Sequence, residues 1–300
     1  MPIVLFLLAG GLVATALLGP LGLGVLVWRV SPSGLMQLYG AHIAELVLVV
    51  PAMLGAGWLW QRRHHLAPVL AFGAAAYALY VSVQFVLFPD YTLYAGNNER
   101  FFPLFLPIVI LAWVVAVRAW AALDSGTSSP PRWLARTFTI VVLATNGLIG
   151  LTWTAQVLGI AAGGTLPPGY AEAPAGFWLI RLVDLGAIVP LSVATAIGVW
   201  REHPLATKAA TGVASFLTLE VGAVLAMGLV QLWLRDPTAS TGLVAALGPV
   251  FVALASTMVL LLRSYHDGAP AVGLVGQARR RLVADPTLSP IAMRPGGGSL

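Results

Sequence analysis

The chain contains no cysteine, and only 9% of its 300 residues carry a charge. The absence of cysteine excludes disulfides, thiolate nucleophiles, cysteine-ligated zinc and iron–sulfur clusters. A soluble domain has about 25% charged residues, so this chain has too few to cover a surface that faces water. Its 59% hydrophobic residues and its mean hydropathy of +0.89 instead indicate a protein that lies in a lipid bilayer.

Apolar segments long enough to cross a bilayer recur along the chain. A transmembrane helix needs about 20 apolar residues, and segments such as residues 3–19 lack the alternation that is typical of a membrane barrel strand. We therefore predict an all-α integral membrane protein with eight transmembrane helices. The predicted spans are residues 2–28, 37–60, 66–88, 102–122, 137–160, 176–200, 207–233 and 240–263.

Basic residues are distributed unequally between the two sides that eight spans define. Twelve of the 16 lysines and arginines fall on the side that holds both termini, and four fall on the other side or at its helix ends. The positive-inside rule places the basic side in the cytoplasm. We therefore predict a multi-pass protein of the inner membrane with cytoplasmic termini, and we attribute the pI near 10 to loop topology, with no nucleic-acid partner.

The sequence contains an internal repeat. At an offset of 139 residues, Glu45 and Pro51 in the second span align with Asp184 and Pro190 in the sixth span. The order of these matches along equivalent spans indicates two tandem parallel four-helix halves, related by a pseudo-two-fold axis along the membrane normal. Further matches at this offset align Arg62 with Arg201, His64 with His203, Leu66 with Leu205 and Gly73 with Gly212.

The repeat divides the chain into three predicted regions. The first half covers residues 1–125, the second half covers residues 132–265, and residues 266–300 form a basic tail that we expect to be disordered. Two interpretations stay open for the tail, because three adjacent arginines can either contact an anionic lipid leaflet or lie in an ordinary solvated segment. These arginines are Arg279, Arg280 and Arg281.

Ionisable side chains inside the predicted spans are few, and each costs about 2.5–3.5 kcal/mol near the bilayer centre, so they are functional candidates. His42 and Glu45 lie three residues apart on one face of the second span, and Arg181 and Asp184 have the same spacing in the sixth. Both pairs fall in the outer third of their predicted spans. If these helices face each other, His42 can pair with Asp184 and Arg181 with Glu45. We therefore predict a polar cluster that opens to the outer side.

Three amides and one further acid complete the candidate set. Gln84 and Gln156 lie near the outer ends of the third and fifth spans, at the level of the predicted cluster. Glu220 lies near the middle of the seventh span. Its carboxyl group is interpreted either as a proton relay or as a neutral acid that donates a hydrogen bond, for which Asn146 is a possible acceptor.

The polar cluster itself has two interpretations. It is either a site for a small polar or ionic ligand, with proton exchange at its acids, or a network of ion pairs that holds the helices in register. The sequence contains no HExxH, GxSxG, P-loop or GxGxxG motif in a suitable context. We therefore predict no catalytic residue, no metal and no cofactor.

Three segments resemble those of a group of uncharacterised bacterial eight-span integral membrane proteins. The segments are DLGAIVP at 184–190, YALYVSVQF at 77–85 and NNERFFPLFLP at 97–107. The resemblance implies the eight-span fold and no assigned activity. The single lysine against fifteen arginines is also similar to what GC-rich bacterial genomes encode.

The leading functional hypothesis is a transporter or channel for a small solute or ion, with proton coupling through the intramembrane acids. A second hypothesis is a non-catalytic membrane partner or sensor, in which the polar cluster is structural. A third is an intramembrane lipid-modifying enzyme that uses Glu45 and His42 as its acid and base.

Overall fold

A computed structural model of the chain describes residues 1–123, 130–167 and 169–267, and all regular structure within these ranges is helical. We label its helices in chain order. They are α1 (Pro2–Leu18), α2 (Pro32–Gln61), α3 (Ala67–Leu87), α4 (Asn98–Ala122), α5 (Arg132–Ala161), α6 (Pro174–Trp200), α7 (Pro204–Trp233) and α8 (Thr241–Asp267).

Seven of these helices, counted over the described ranges, are long and apolar enough to cross a membrane, namely α2 to α8. The prediction of an all-helical, multi-pass membrane architecture is therefore confirmed at this level. Helix α1 is apolar but has only 17 residues.

The prediction that the first span reaches residue 28 is wrong. Helix α1 ends at Leu18, where Gly19 and Pro20 follow, and proline disrupts a helix because it has no N–H and its ring meets a preceding carbonyl. The chain then turns back, and the amide of Leu26 donates a 2.8 Å hydrogen bond to the carbonyl of Leu18. Residues 25–31 therefore form an extended segment at one end of the bundle.

Helix α2 begins five residues earlier than predicted. Pro32 suits the first position of a helix, and the Ser31 hydroxyl accepts a 3.0 Å hydrogen bond from the amide of Gly34, which caps the helix. The earlier start places Glu45 near the middle of the 30-residue helix that ends at Gln61. The predicted position of Glu45 in the outer third of its span is therefore corrected to a central one.

Helices α2 and α6 each contain a π-helical turn that begins at the acid. The turn in α2 is Glu45–Val49, and the next amide N–H donates to the Glu45 carbonyl five residues back. Pro51 follows, and the wider turn accommodates a proline that would otherwise clash with the carbonyl four residues before it. The same arrangement occurs in α6, where the π turn Asp184–Ile188 precedes Pro190.

The centre of the bundle is the crossing of α3 and α7. A β-carbon on Gly73 of α3 would overlap Ser215, and one on Gly212 of α7 would overlap the ring of Phe72. Such small residues let helix backbones approach closely in a membrane. Around this crossing, α1 packs against α2 and α4, and α5 packs in the same way against α6 and α8.

The contact of α2 with α7 differs from the corresponding contact of α6 with α3. The segment Pro32–Ala44 of α2 packs closely along α7, where a β-carbon on Gly40 would overlap the backbone of Met227. The segment Pro174–Val183 of α6 makes far fewer contacts with α3. The N-terminal part of α6 is therefore packed more loosely than the N-terminal part of α2.

Candidate functional site

The acid and base of α2 form a closed pair. His42 Nδ1 lies 2.7 Å from Glu45 Oε2, and both side chains are completely buried. The second polar atom of each side chain, His42 Nε2 and Glu45 Oε1, has no hydrogen-bond partner. His42 therefore does not form the pair with Asp184 that the sequence left possible, because the i,i+3 spacing lets it reach the acid of its own helix.

Aromatic rings cover this closed pair. The ring centroid of Trp28 lies 6.2 Å from that of His42, 5.4 Å from that of Phe85 and 5.5 Å from that of Phe105. Trp28 is itself buried, and it belongs to the extended segment that follows α1. The packing of these rings leaves the His42–Glu45 pair in a dry environment.

A network of hydrogen bonds holds the Trp28 segment in place. The amide of Val27 donates to Asn97 Oδ1 at 2.8 Å, and Asn97 Nδ2 donates to the carbonyl of Val25 at 3.0 Å. Arg29 forms a 2.7 Å ion pair with Glu99. These contacts fix the segment against the loop between α3 and α4, and we call the two together the outer cap, after the side of the membrane on which the sequence predicts it.

The base of α6 has a different environment. The guanidinium of Arg181 lies 4.1 Å from the ring centroid of Trp153 and 3.6 Å from that of Phe177. Its Nη2 donates a 2.6 Å hydrogen bond to Gln156 Oε1, while its Nε is buried and has no partner. Arg181 therefore does not form the ion pair with Glu45 that the sequence left possible, because its guanidinium contacts two aromatic rings, Gln156 and the backbone carbonyl of Phe177 instead.

The acid of α6 accepts two hydrogen bonds from neutral donors. Asp184 Oδ1 accepts from the hydroxyl of Tyr80 at 2.9 Å, and Oδ2 accepts from Trp153 Nε1 at 2.8 Å. Neither Asp184 nor Arg181 is fully buried, and no ion pair within 4.0 Å joins them in the described part of the chain. We call Arg181, Asp184, Tyr80, Trp153 and Gln156 the open cluster.

Glu220 is the candidate acid on α7. It is near the middle of α7, is partly exposed, and interacts electrostatically with both Asp184 and Glu45. Tyr77 has electrostatic interactions with Glu45 and Glu220, and Tyr80 has them with Glu220 and Asp184. The three carboxyl groups and two tyrosines therefore form one interacting group at the centre of the bundle.

The remaining two candidates do not join this group through hydrogen bonds. Asn146 Nδ2 donates a 2.8 Å hydrogen bond to the carbonyl of Val142 in its own helix, and its buried Oδ1 has no partner. The interpretation that Asn146 accepts a hydrogen bond from Glu220 is therefore wrong. Gln84 is partly exposed on α3, one helical turn beyond Tyr80.

The sequence-based prediction missed the aromatic members of both sites. Trp28, Trp153 and Phe177 carried no signal, because aromatic residues in an apolar span are ordinary packing residues and only the tertiary fold shows what they cover. Tyr77 and Tyr80 carried a weak signal, since two phenols three residues apart share one helix face in a sequence with few polar groups.

A second polar network ties α2 to the loop between α7 and α8. The carboxylate of Asp236 accepts hydrogen bonds from Ser33, Gln231 and Thr238 at 2.6–2.8 Å. Burial raises the pKa of Asp236, but the hydrogen bonds outweigh it, so the pKa lies below its ordinary value. We call this network the Asp236 latch.

Known protein-family models, curated proteins and solved structures contain no match to this chain. Within the described ranges, no group of three or more histidine, aspartate or glutamate side chains is arranged to hold a metal ion. The arginines of the predicted lipid-binding tail, Arg279, Arg280 and Arg281, lie outside the described residues.

Proposed function

We propose that the protein carries a small polar or ionic solute across a bacterial inner membrane and exchanges protons at its intramembrane carboxyl groups. The observation that carries the proposal is the central group of Glu45, Glu220 and Asp184, three carboxyl groups that lie within the long apolar helices α2, α7 and α6. Ionisable groups in the interior of a helix bundle mark solute and proton pathways by default. Asp184 is partly exposed, in contrast to the completely buried Glu45.

The proposal includes eight spans in two parallel halves. Helix α1 has 17 residues and therefore a length of about 25 Å at 1.5 Å per residue, close to the thickness of a bilayer core. Three features support the repeat: the π turns lie 139 residues apart, Gly73 and Gly212 both lie at the crossing of α3 and α7, and α1 and α5 have corresponding neighbours. Sites at such a repeat interface are typical of transporters.

The proposed orientation has both termini in the cytoplasm. The chain segments between α2 and α3 and between α6 and α7 contain Arg62, Arg63 and Arg201, whereas the outer cap has the paired Arg29. This distribution follows the positive-inside rule. It places the outer cap and the start of α6 on the side away from the cytoplasm.

The proposal is tested with the purified full-length protein in liposomes that contain a pH-sensitive dye. A panel of alanine, lysine, succinate, phosphate and glucose is added outside, with valinomycin present to hold the membrane potential constant. We expect at least one of these solutes to acidify the lumen. Asp184→Asn should abolish the signal and leave the elution volume of the protein unchanged, because the amide keeps the size of the side chain.

The matched control is Glu172→Gln, which removes one negative charge from the segment before α6, outside the central group. This variant should retain the wild-type signal. If no solute of the panel acidifies the lumen, or if Asp184→Asn and wild type give equal signals, the proposal is wrong.

A second candidate function, that of a non-catalytic partner or sensor, is favoured by the His42–Glu45 pair. A completely buried pair beneath three aromatic rings has the features of a structural element. The same burial argues against the third hypothesis, because a lipid substrate has no contact with that acid and base. Equal loss of folded protein in Glu45→Gln and Asp184→Asn would favour the structural candidate over transport.

A further inference from the structure

We infer that the open cluster binds a small zwitterion of the amino-acid type, with the carboxylate of the ligand on Arg181 and its ammonium group on Asp184. The inference rests on the proposed function, for which it names the class of substrate. It is carried by two opposite charges that lie one helical turn apart and form no direct ion pair within 4.0 Å in the described part of the chain.

Arg181 and Asp184 remain apart, although their spacing along the helix would allow them to pair. Side chains at i and i+3 start from β-carbons about 5–6 Å apart, and at this spacing His42 and Glu45 close to 2.7 Å. Arg181 and Asp184 have the same spacing, but within the described ranges no Arg181 nitrogen lies within 4.0 Å of an Asp184 carboxylate oxygen. Each is held by neutral groups instead, so a complementary pair of charges remains available to a ligand.

One edge of the Arg181 guanidinium has a hydrogen-bond donor without a partner. Two aromatic rings cover the guanidinium, and Nη2 contacts Gln156. The Nε–H is buried and unpaired, and such a donor costs about 1–3 kcal/mol. A carboxylate binds side-on to Nε and Nη2 through two parallel hydrogen bonds, which would satisfy this donor.

The carboxylate of Asp184 can accept more hydrogen bonds than the two that it already accepts. A carboxylate has about four lone-pair positions, and the two donors Tyr80 and Trp153 occupy one position on each oxygen. An ammonium group can therefore approach without displacing either donor. Trp153 contacts both charges, through its ring with Arg181 and through its N–H with Asp184, so it fixes the distance that the ligand has to span.

Electrostatics then select a zwitterion over a simple ion. A monovalent anion would pair with Arg181 and leave Asp184 without its counter-charge, and an amine would do the converse. A zwitterion supplies both charges and keeps the site neutral as a whole, which matters because unpaired charges are costly in a medium of low dielectric.

The inference is tested by calorimetric titration of the full-length protein in lipid nanodiscs with alanine, β-alanine, propionate and ethylamine. We expect alanine or β-alanine to bind at least about tenfold more tightly than propionate and ethylamine, a difference of about 1.4 kcal/mol. Arg181→Lys should weaken binding of that amino acid by about tenfold or more, because lysine has no side-on edge. Asp184→Asn should weaken its binding to the level of propionate.

The matched control is Arg100→Lys, the same substitution at an exposed position in the first turn of α4, which should leave the affinity unchanged. Propionate that binds as tightly as both amino acids would show a simple anion site and overturn the inference. Ethylamine that does so would show a cation site, and failure of both amino acids to bind would overturn it as well.

The titration also separates this inference from the proposed function. Binding of alanine or β-alanine without any flux in liposomes would support the zwitterion site and contradict transport. Flux of another solute of the panel without binding of an amino acid would support transport and overturn the zwitterion site.

Discussion

The acid–base pairs of α2 and α6 have the same spacing and begin the same kind of π turn, yet one is closed and the other is open. His42 and Glu45 are completely buried and contact each other, whereas Arg181 and Asp184 are partly exposed and contact neutral groups. The helix that carries a pair therefore does not determine whether that pair is closed or open. The neighbours of that helix decide it.

The length of the preceding helix accounts for part of this difference. Helix α1 ends at Leu18, and the chain that returns from it places Trp28 over His42. Helix α5 has no Gly-Pro at the corresponding stage and continues for 30 residues to Ala161, so that its own Trp153 reaches the second pair from the side. The chain that follows α1 thus covers the first pair, whereas α5 lies beside the second pair.

The largest difference between the two pairs should appear on truncation of their acids. Glu45→Ala leaves His42 buried without its partner, and breaking a buried pair costs about 3–5 kcal/mol. Asp184→Ala leaves two neutral donors near partly exposed space, for which we expect a loss of about 1–3 kcal/mol. The measurement is the free energy of unfolding in mixed detergent micelles, followed by tryptophan fluorescence.

A double-mutant cycle provides the control for this comparison. His42→Ala should cost about as much as Glu45→Ala, and the double variant should cost less than the sum, because both residues belong to one interaction. Equal losses for Glu45→Ala and Asp184→Ala would contradict the assignment of the first pair as the closed one.

Removal of the aromatic cover should open the first pair to water. Trp28→Leu removes the ring contacts to His42, Phe85 and Phe105, and we expect it to lower the free energy of unfolding by about 2–3 kcal/mol. It should also speed deuterium exchange at the imidazole C–H of His42, which mass spectrometry measures. Trp113→Leu, at an exposed position on α4, is the control and should leave the exchange rate unchanged. An unchanged rate in Trp28→Leu would show that other residues exclude water.

Close packing of α2 on α7 should be sensitive to one methyl group. Gly40→Ala places a β-carbon against the backbone of Met227, and overpacking of this kind costs about 1–3 kcal/mol. The control is Gly147→Ala on α5, where no heavy atom lies within 4 Å of the added carbon, and we expect its stability to change little. Thermal unfolding of both variants measures the difference, and a tolerated Gly40→Ala would mean that α2 is free to move on α7.

The helices were predictable because apolar length alone determines which segments cross a bilayer, and α3 from Ala67 to Leu87 matches its predicted span within a residue at each end. The end of α1 was missed because hydropathy does not register the break at Gly19 and Pro20. The acid–base pairs could be found from spacing, but their partners could not. Whether Arg181 meets Glu45 or Trp153 depends on how α5 packs against α6, and no local pattern encodes that packing.

The Asp236 latch should give the smallest effect and a distinctive pH dependence. The pKa of Asp236 is lower in the folded protein than its ordinary value of about 3.9, so its ionised form stabilises the fold above that pH, and the contribution is lost as the pH falls through the folded value. Asp236→Asn should therefore lower the free energy of unfolding by about 0.5–1.5 kcal/mol at pH 7 and by less at pH 3.

The corresponding contact beside the open cluster provides the control for this pH dependence. There the Tyr94 hydroxyl donates a 2.8 Å hydrogen bond to the backbone carbonyl of Glu172, just before α6. This contact contains no carboxylate, so the loss in Tyr94→Phe should be the same at pH 3 and pH 7. If Asp236→Asn were also independent of pH, the latch would act through packing alone. A pH-dependent loss confined to Asp236 would instead show that an ionised group holds the start of α2 against α7.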